Sequence, residues 1–470
     1  MQMKFIVVLF SIASILLTFL AGCSNSNNPP PPPKFYFKAS DTTSAIPEID
    51  LFGTAIAISG DGSTLAVGAW AEDGGDVSDD TDNSAVAAGA VYVFKRTVAG
   101  STVSWTQVSY VKAQTPVTGE NFGFSVALSE DGNILAVGAP VIAGTTPGSA
   151  YVYSGPNYDT PTPVTASDPQ NGDLFGHAVA LSDDGLRLAV GAIGEDGGAG
   201  DPTSNAGAVY VYTDTGSGTN WAQEAILRAN TPEIDASFGI SVALDQTGIV
   251  LAAGASLEGA GDEGAAYVFD RTAGPTWTGE RLVAAAPASD DRFGSSVALN
   301  DAGDRLAVGV PANNTTPPSS GLDGQVIVFT DSTGWSQEAV VTASNADAND
   351  AFGTSVALSS DGNTLLVGAE FEDGSDVDIG GTDDNLADGA GAAYRFTRNT
   401  VPSVSWTQSH YIKATNSESG DRFGSDVSIT DNGSRFVVGA GYEDSSATGV
   451  NSDQTNNDAD DSGAAYLWNL

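Results

Sequence analysis

Short runs in which apolar and polar residues alternate recur along the chain, and one of them returns seven times with little change. Each copy opens on Phe-Gly, at Phe52, Phe122, Phe175, Phe238, Phe293, Phe352 and Phe423, a mean spacing of about 62 residues that suits a solenoid or a propeller. In "FGTSVALSSDGNTLLVGA", Phe352 to Ala369, the alternation runs up to Asp361-Gly362 and resumes beyond it. That pattern predicts two antiparallel strands joined by a tight turn. A loop of variable length leads to a third apolar run, such as "GAVYVF" from Gly89. A fourth follows a Trp in five copies, at Trp105, Trp221, Trp277, Trp335 and Trp406. Aromatics that return at one repeat position are expected to pack between neighbouring units. Helical periodicity is absent throughout.

Counting the runs sets the topology. Fourth runs close on Ala113, Ala166, Ala229, Ala285, Ala343 and Ala414, one fewer than the copies, and the chain stops after the third run of the last copy, "GAAYLWNL". The missing strand stands at the other end. "FYFKAS", Phe35 to Ser40, has the form of "YVKAQ" and "YIKAT". The predicted fold is therefore all-β: a seven-bladed β-propeller of four-stranded antiparallel blades over residues 35–470, its ring closed by an N-terminal strand that completes the last blade. Closure leaves no unpaired sheet edge. An all-β solenoid is the alternative.

Charge narrows the partners. Fifty-nine Asp and Glu against 17 Lys and Arg give a formal charge of -42, which repels nucleic-acid phosphates and anionic headgroups and attracts cations. Nucleic acid is thus excluded as a partner, while calcium and a saline habitat both suit the composition. Before the repeats, Lys4 precedes an apolar stretch from Phe5 to Leu20 with the form of a secretory signal. It ends in "LAGC", Leu20 to Cys23, and holds the chain's only cysteine. This resembles the lipobox of bacterial lipoproteins. The resemblance implies a signal peptide over residues 1–22, acylation of Cys23 and, because Ser24 follows, anchoring at the outer membrane or cell surface of a Gram-negative bacterium. Residues 23–34, with five consecutive prolines, make an extended spacer.

"FG" followed some fifteen residues on by "VGAP", as at Val137 to Pro140, resembles the FG-GAP repeat of integrin alpha-subunit propellers and its bacterial relatives. The resemblance implies that the loop face binds partners. Integrin-type repeats hold calcium in the turn between the first two strands, but turns such as "SEDGNI" and "SSDGNT" offer too few carboxylates for an ion that takes six to eight oxygens. Asp61, Asp131 and Asp361 are expected to accept local backbone hydrogen bonds instead.

The acidity lies in the loop between the second and third strands. A Glu-Asp pair follows "VGA" in four copies: Glu72-Asp73, Glu195-Asp196, Glu372-Asp373 and Glu443-Asp444. Glu258 keeps the Glu alone, and Pro140 and Pro311 replace it in the other two copies. The loops of copies one, six and seven carry 20 carboxylates, and ring closure would make those blades neighbours. The pairs, together with Asp76, Asp376 and Asp378, are the predicted calcium ligands. The loop from Glu370 to Asp384 does not follow EF-hand spacing, since Ile379 separates Asp378 from Gly380.

A second set of carboxylates stands two residues before Phe, at Asp50, Glu120, Asp173, Asp291, Asp350 and Asp421, with Asp235 one place further back. Its presence in every copy predicts a repeated structural hydrogen bond. Arg292 and Arg422 are expected to pair with their adjoining Asp. His177 and His410 break the repeat without forming any catalytic constellation. The function expected is adhesion or protein interaction, through an unknown protein or glycan bound on the loop face, and not enzymatic. The alternatives are a polysaccharide-active enzyme using loop carboxylates and a structural envelope scaffold.

Overall fold

The structure is a computed structural model that describes residues 35–41, 49–77, 81–143, 146–196, 204–216, 218–311, 324–380 and 384–470. The segments expected to be a signal peptide and a proline spacer, with Cys23 between them, lie outside the described residues. Every regular element among those described is a strand, and the strands form seven four-stranded antiparallel sheets. Blade 1 takes Phe52–Ile58, Thr64–Ala69, Ala90–Ala99 and Thr102–Val111 in order from the channel outwards. Blades 2 to 6 repeat that order, with first strands at Ser125–Leu128, Phe175–Leu181, Phe238–Leu244, Val297–Leu299 and Val356–Leu358.

Blade 7 draws three strands from the end of the chain, Val427–Ile429, Arg435–Ala440 and Ala464–Asn469, and its fourth, Phe35–Phe37, from the beginning. Phe35 pairs with Leu467 and Phe37 with Ala465. The ring is closed as the strand count requires, and the solenoid alternative falls. One register differs from expectation: the fourth strand of blade 4 ends at Leu282, so Ala284, and not Ala285, stands where Ala113 and Ala414 stand elsewhere.

The core lies between blades. Seven hydrophobic clusters among the described residues each join residues of two neighbouring blades. All seven Phe of the Phe-Gly motif are fully buried, and each meets an aromatic ring of the third strand edge-on, as Phe238 meets Tyr267 with centroids 5.2 Å apart. Trp105 packs edge-on against Phe37 of the preceding blade at 5.7 Å, the inter-blade role expected of the Trp positions.

Glycine supplies the close approach that this packing needs. A Cβ on the Gly of "VGA" would collide with the carbonyl oxygen of the next blade's Phe-Gly glycine at all seven seams, Gly254 against Gly294 among them. The Phe-Gly glycines hold positive φ, +95° at Gly294. On the face where first strand turns into second, hydrogen bonds of 2.9 to 3.3 Å link one turn to the next around the circle: Asp61 to Glu130, then to Asp183, Gln246, Asp301, Ser360, Asp431 and back to Gly60. The turn carboxylates act as expected, Asp61 accepting from the Ser63 N–H at 2.8 Å and Asp361 from the Asn363 N–H at 2.9 Å.

Candidate functional site

The opposite face carries the loops between second and third strands, and the Glu-Asp pairs organise them. Each Glu turns back under its loop to meet a cation from the end of its own blade's fourth strand. Glu72 pairs with Lys112, and Glu195 takes both Arg228 Nη2 at 2.9 Å and Arg228 Nε at 3.3 Å. Glu258 meets Arg281 at 2.5 Å, Glu372 meets Lys413 at 2.6 Å and Glu443 meets Lys38 at 2.8 Å. All five carboxylates are buried.

Tyr hydroxyls complete the shell in four blades: Tyr110 donates to Glu72 at 2.7 Å, Tyr267 to Glu258 at 2.7 Å, Tyr411 to Glu372 at 2.5 Å and Tyr36 to Glu443 at 3.2 Å. A buried carboxylate is tolerated only when its charge is paired and its lone pairs are satisfied, and both conditions are met here. Burial pushes the Lys38 and Lys112 ammonium groups down from their ordinary range, and their Glu partners pull the other way.

The Asp of each pair ties the two ends of the loop together. Asp73 accepts from the Ala87 N–H at 2.6 Å, Asp196 from the Asn205 N–H at 2.9 Å, Asp373 from the Gly389 N–H at 2.8 Å and Asp444 from the Asp461 N–H at 2.8 Å. The Glu backbone closes the same loop, as where the Gly391 N–H donates to the Glu372 carbonyl at 2.8 Å. Asp76 is exposed, whereas Asp376 and Asp378 are half-buried. The segment around them folds back on the outer edge of blade 6, Ile379 bridging to Ile412, with Asp378 at φ +66°. Burial alone raises the Asp378 carboxyl above its usual range. Blade 7 repeats the device, with Val450 bridging to Phe37.

As a donor set for calcium the Glu-Asp pairs fit poorly. Each Glu already faces an ammonium or guanidinium group, and each Asp accepts a backbone N–H. Among the described residues no three or more His, Cys, Asp or Glu side chains are grouped so as to hold a metal ion.

The carboxylates before Phe form the expected local bonds: Asp173 accepts from the Gln170 N–H at 2.6 Å, Asp291 from Ala288 at 2.7 Å, Asp350 from Asp347 at 2.9 Å and Asp421 from Glu418 at 2.8 Å. Burial, with Glu443, Asp444 and Glu418 nearby, pushes the Asp421 carboxyl up to about 8. The expected ion pairs of Arg292 and Arg422 with their neighbouring Asp do not form. Arg422, at φ +53°, lays its guanidinium over the Tyr442 ring at 4.1 Å and the Phe371 ring at 5.1 Å.

Sequence reasoning missed the cations. Lys112, Arg228, Lys413 and Lys38 stand immediately before the closing Ala in four of the five copies whose loop carries Glu, Arg281 standing further back in the fifth, and Thr165 and Thr342 stand there in the two copies whose loop carries Pro. That correspondence was the available signal. It also missed Glu224 and Glu338 on fourth strands, each half of a seam clamp. Glu338 takes Arg398 of the next blade at 2.6 Å, Arg305 of its own at 3.6 Å and the Trp406 indole N–H at 3.1 Å.

A family model described as FG-GAP repeat matches residues 105–153, 162–212, 221–269, 335–396 and 406–468, together more than half of the chain. Each matched segment starts at or near the fourth strand of one blade and ends in the third strand of the next, so the family frame straddles the seam. No curated protein matches the chain.

Proposed function

Because the chain belongs to the FG-GAP repeat family, we propose that it is a binding module and not an enzyme, an exported propeller that engages a protein or glycan partner on its second-to-third-strand loops. The observation that carries this reading is the buried Glu-cation clamp, which fixes the base of each long loop to its blade while the tip stays in solvent. Loops ordered before binding lose little entropy on association. Ring closure makes blades 6, 7 and 1 neighbours, and the loop tips of blades 1 and 6 expose Val77, Val86, Val377 and Leu386 among the carboxylates. Apolar side chains within a charged rim suit a protein interface, and a chain of charge -42 favours a basic partner.

The tether in this proposal is acylated Cys23, on the strength of the "LAGC" motif, and the envelope surface is the place where such a module would act. Calcium has a role only beyond the Glu-Asp pairs, at the loop carboxylates Asp76, Asp376 and Asp378, as a bridge to the partner and not a support of the fold. A polysaccharide-cleaving reading needs an acid and a base facing a cleft, whereas the recurring loop Glu residues are buried and each faces a Lys or Arg.

The test is adhesion of the full-length chain to panels of envelope proteins and glycans. Charge reversal at Asp384 and Asp388 with Leu386→Ala should weaken capture by at least about tenfold. Asp61→Lys on the opposite face should not. EDTA should leave the melting temperature within about 1 °C. Loss of binding from the Asp61 variant alone, or release of reducing sugar from any glycan, would sink the proposal.

A further inference from the structure

The first strands line a central channel whose mouth on the loop face widens into a cavity of about 630 Å3, within the range of small-molecule sites. Two repeat positions face it: the residue after Phe-Gly and the residue after "VGA". Most copies place a small or aliphatic residue at the first, such as Thr54, Ile240 or Ser295. Blades 2 and 3 depart from this with aromatic rings, and blade 1 adds one at the second position. Trp70 of blade 1, Phe124 of blade 2 and His177 of blade 3 form an aromatic arc, with centroids 5.9 Å apart between Trp70 and Phe124 and 5.0 Å between Phe124 and His177.

Across the same cavity, blade 6 puts Glu370 at the position that Trp70 takes in blade 1. Its carboxylate accepts no hydrogen bond among the described residues, and the one cation acting on it, Arg422, is stacked on Tyr442. Asp426 of blade 7 adds a second negative group, held in place by the Ile56 N–H at 2.8 Å and the Ser355 hydroxyl at 2.9 Å. Among the described residues no Lys or Arg lines the cavity. The His177 Nδ1 is buried and has no hydrogen-bond partner among the described residues, whereas buried polar atoms in native structures are normally partnered.

We propose that this mouth binds a small organic ammonium ion, Trp70, Phe124 and His177 covering its apolar body while Glu370 pairs with its charge. Aromatic faces attract cations through their quadrupole, and the attraction grows when water is displaced, as it is in a recessed channel. Burial pushes His177 down to about 4, so its ring is neutral near pH 7 and adds no repelling charge. An anion would find no cationic side chain here. A neutral sugar could use the Ser and Thr hydroxyls of the lining, but it would gain nothing from the charge of Glu370.

Calorimetric titration of the full-length chain with benzylammonium, benzyl alcohol and glucose distinguishes these ligands. Benzylammonium should bind saturably and at least about tenfold more tightly than the isosteric alcohol. Glu370→Gln should remove most of that preference, and Trp70→Leu should weaken both compounds by about fivefold or more. His410→Ala, on an outer strand, should change neither. If Trp70→Leu melts early, the near-isosteric Glu370→Gln still reads the site. Equal affinity for amine and alcohol, no binding of the amine, an unchanged preference in Glu370→Gln, or tighter binding of glucose would each overturn the proposal.

Discussion

A buried Glu with its own Lys is the residue-scale unit that makes these loops. In blade 6, Glu372 and Lys413 are both fully buried, and Tyr411 donates to the same carboxylate. Removing one partner strands the other charge in a medium that cannot solvate it. Lys413→Met should therefore cost about 3–5 kcal/mol, whereas Lys413→Met combined with Glu372→Leu should recover most of that loss. Urea unfolding midpoints of the two variants check this, and equal losses in both would count against a charge-based clamp. The Glu was legible in the sequence as a repeated loop residue, but its partner was not. Lys413 and Glu372 are 41 positions apart, and only the fold of the blade brings the end of its fourth strand under the loop.

At the scale of the element, the Phe-Gly and "VGA" motifs are two halves of one seam. The Phe fills the gap between blades, and its Gly presents a carbonyl to the Gly of the preceding blade's second strand. A side chain there meets backbone that cannot move aside. Gly254→Ala should destabilise by about 3 kcal/mol or more, because overpacking against a carbonyl forces the strands apart. Gly100→Ala, where a Cβ meets nothing and only the φ of +64° opposes it, should cost about 1 kcal/mol. Denaturant midpoints separate the two. The strands and turns were readable from alternation and Asp-Gly punctuation, since both are local. The Ala285 register in blade 4 was misread because three consecutive alanines, Ala284 to Ala286, follow Val283, and only pairing with the third strand selects among them.

The whole molecule gathers like charges as it closes. The circle of turns brings Glu130, Asp183, Asp301 and Asp431 toward one another, and burial with this repulsion raises Asp183 to about 7 and Asp431 to about 6. Asp421 on the other face reaches about 8. Carboxyls raised above their unfolded value near 3.9 contribute stability that is complete below that value and lost as pH rises through the folded one. The melting temperature should thus fall between pH 5 and pH 8.5, and Asp421→Asn should flatten the upper part of that fall. A profile that rises over this range would contradict the assignment. Alternation, period and strand count by themselves determined the blades, their number and the closing strand, because these depend on local pattern and on the need to leave no edge unpaired. Which carboxylates face cations, which stay in solvent, and how Trp70, Phe124, His177 and Glu370 come to share one cavity depended on contacts across seams and around the ring. Such contacts join residues tens to hundreds of positions apart, and only the closed tertiary structure sets them.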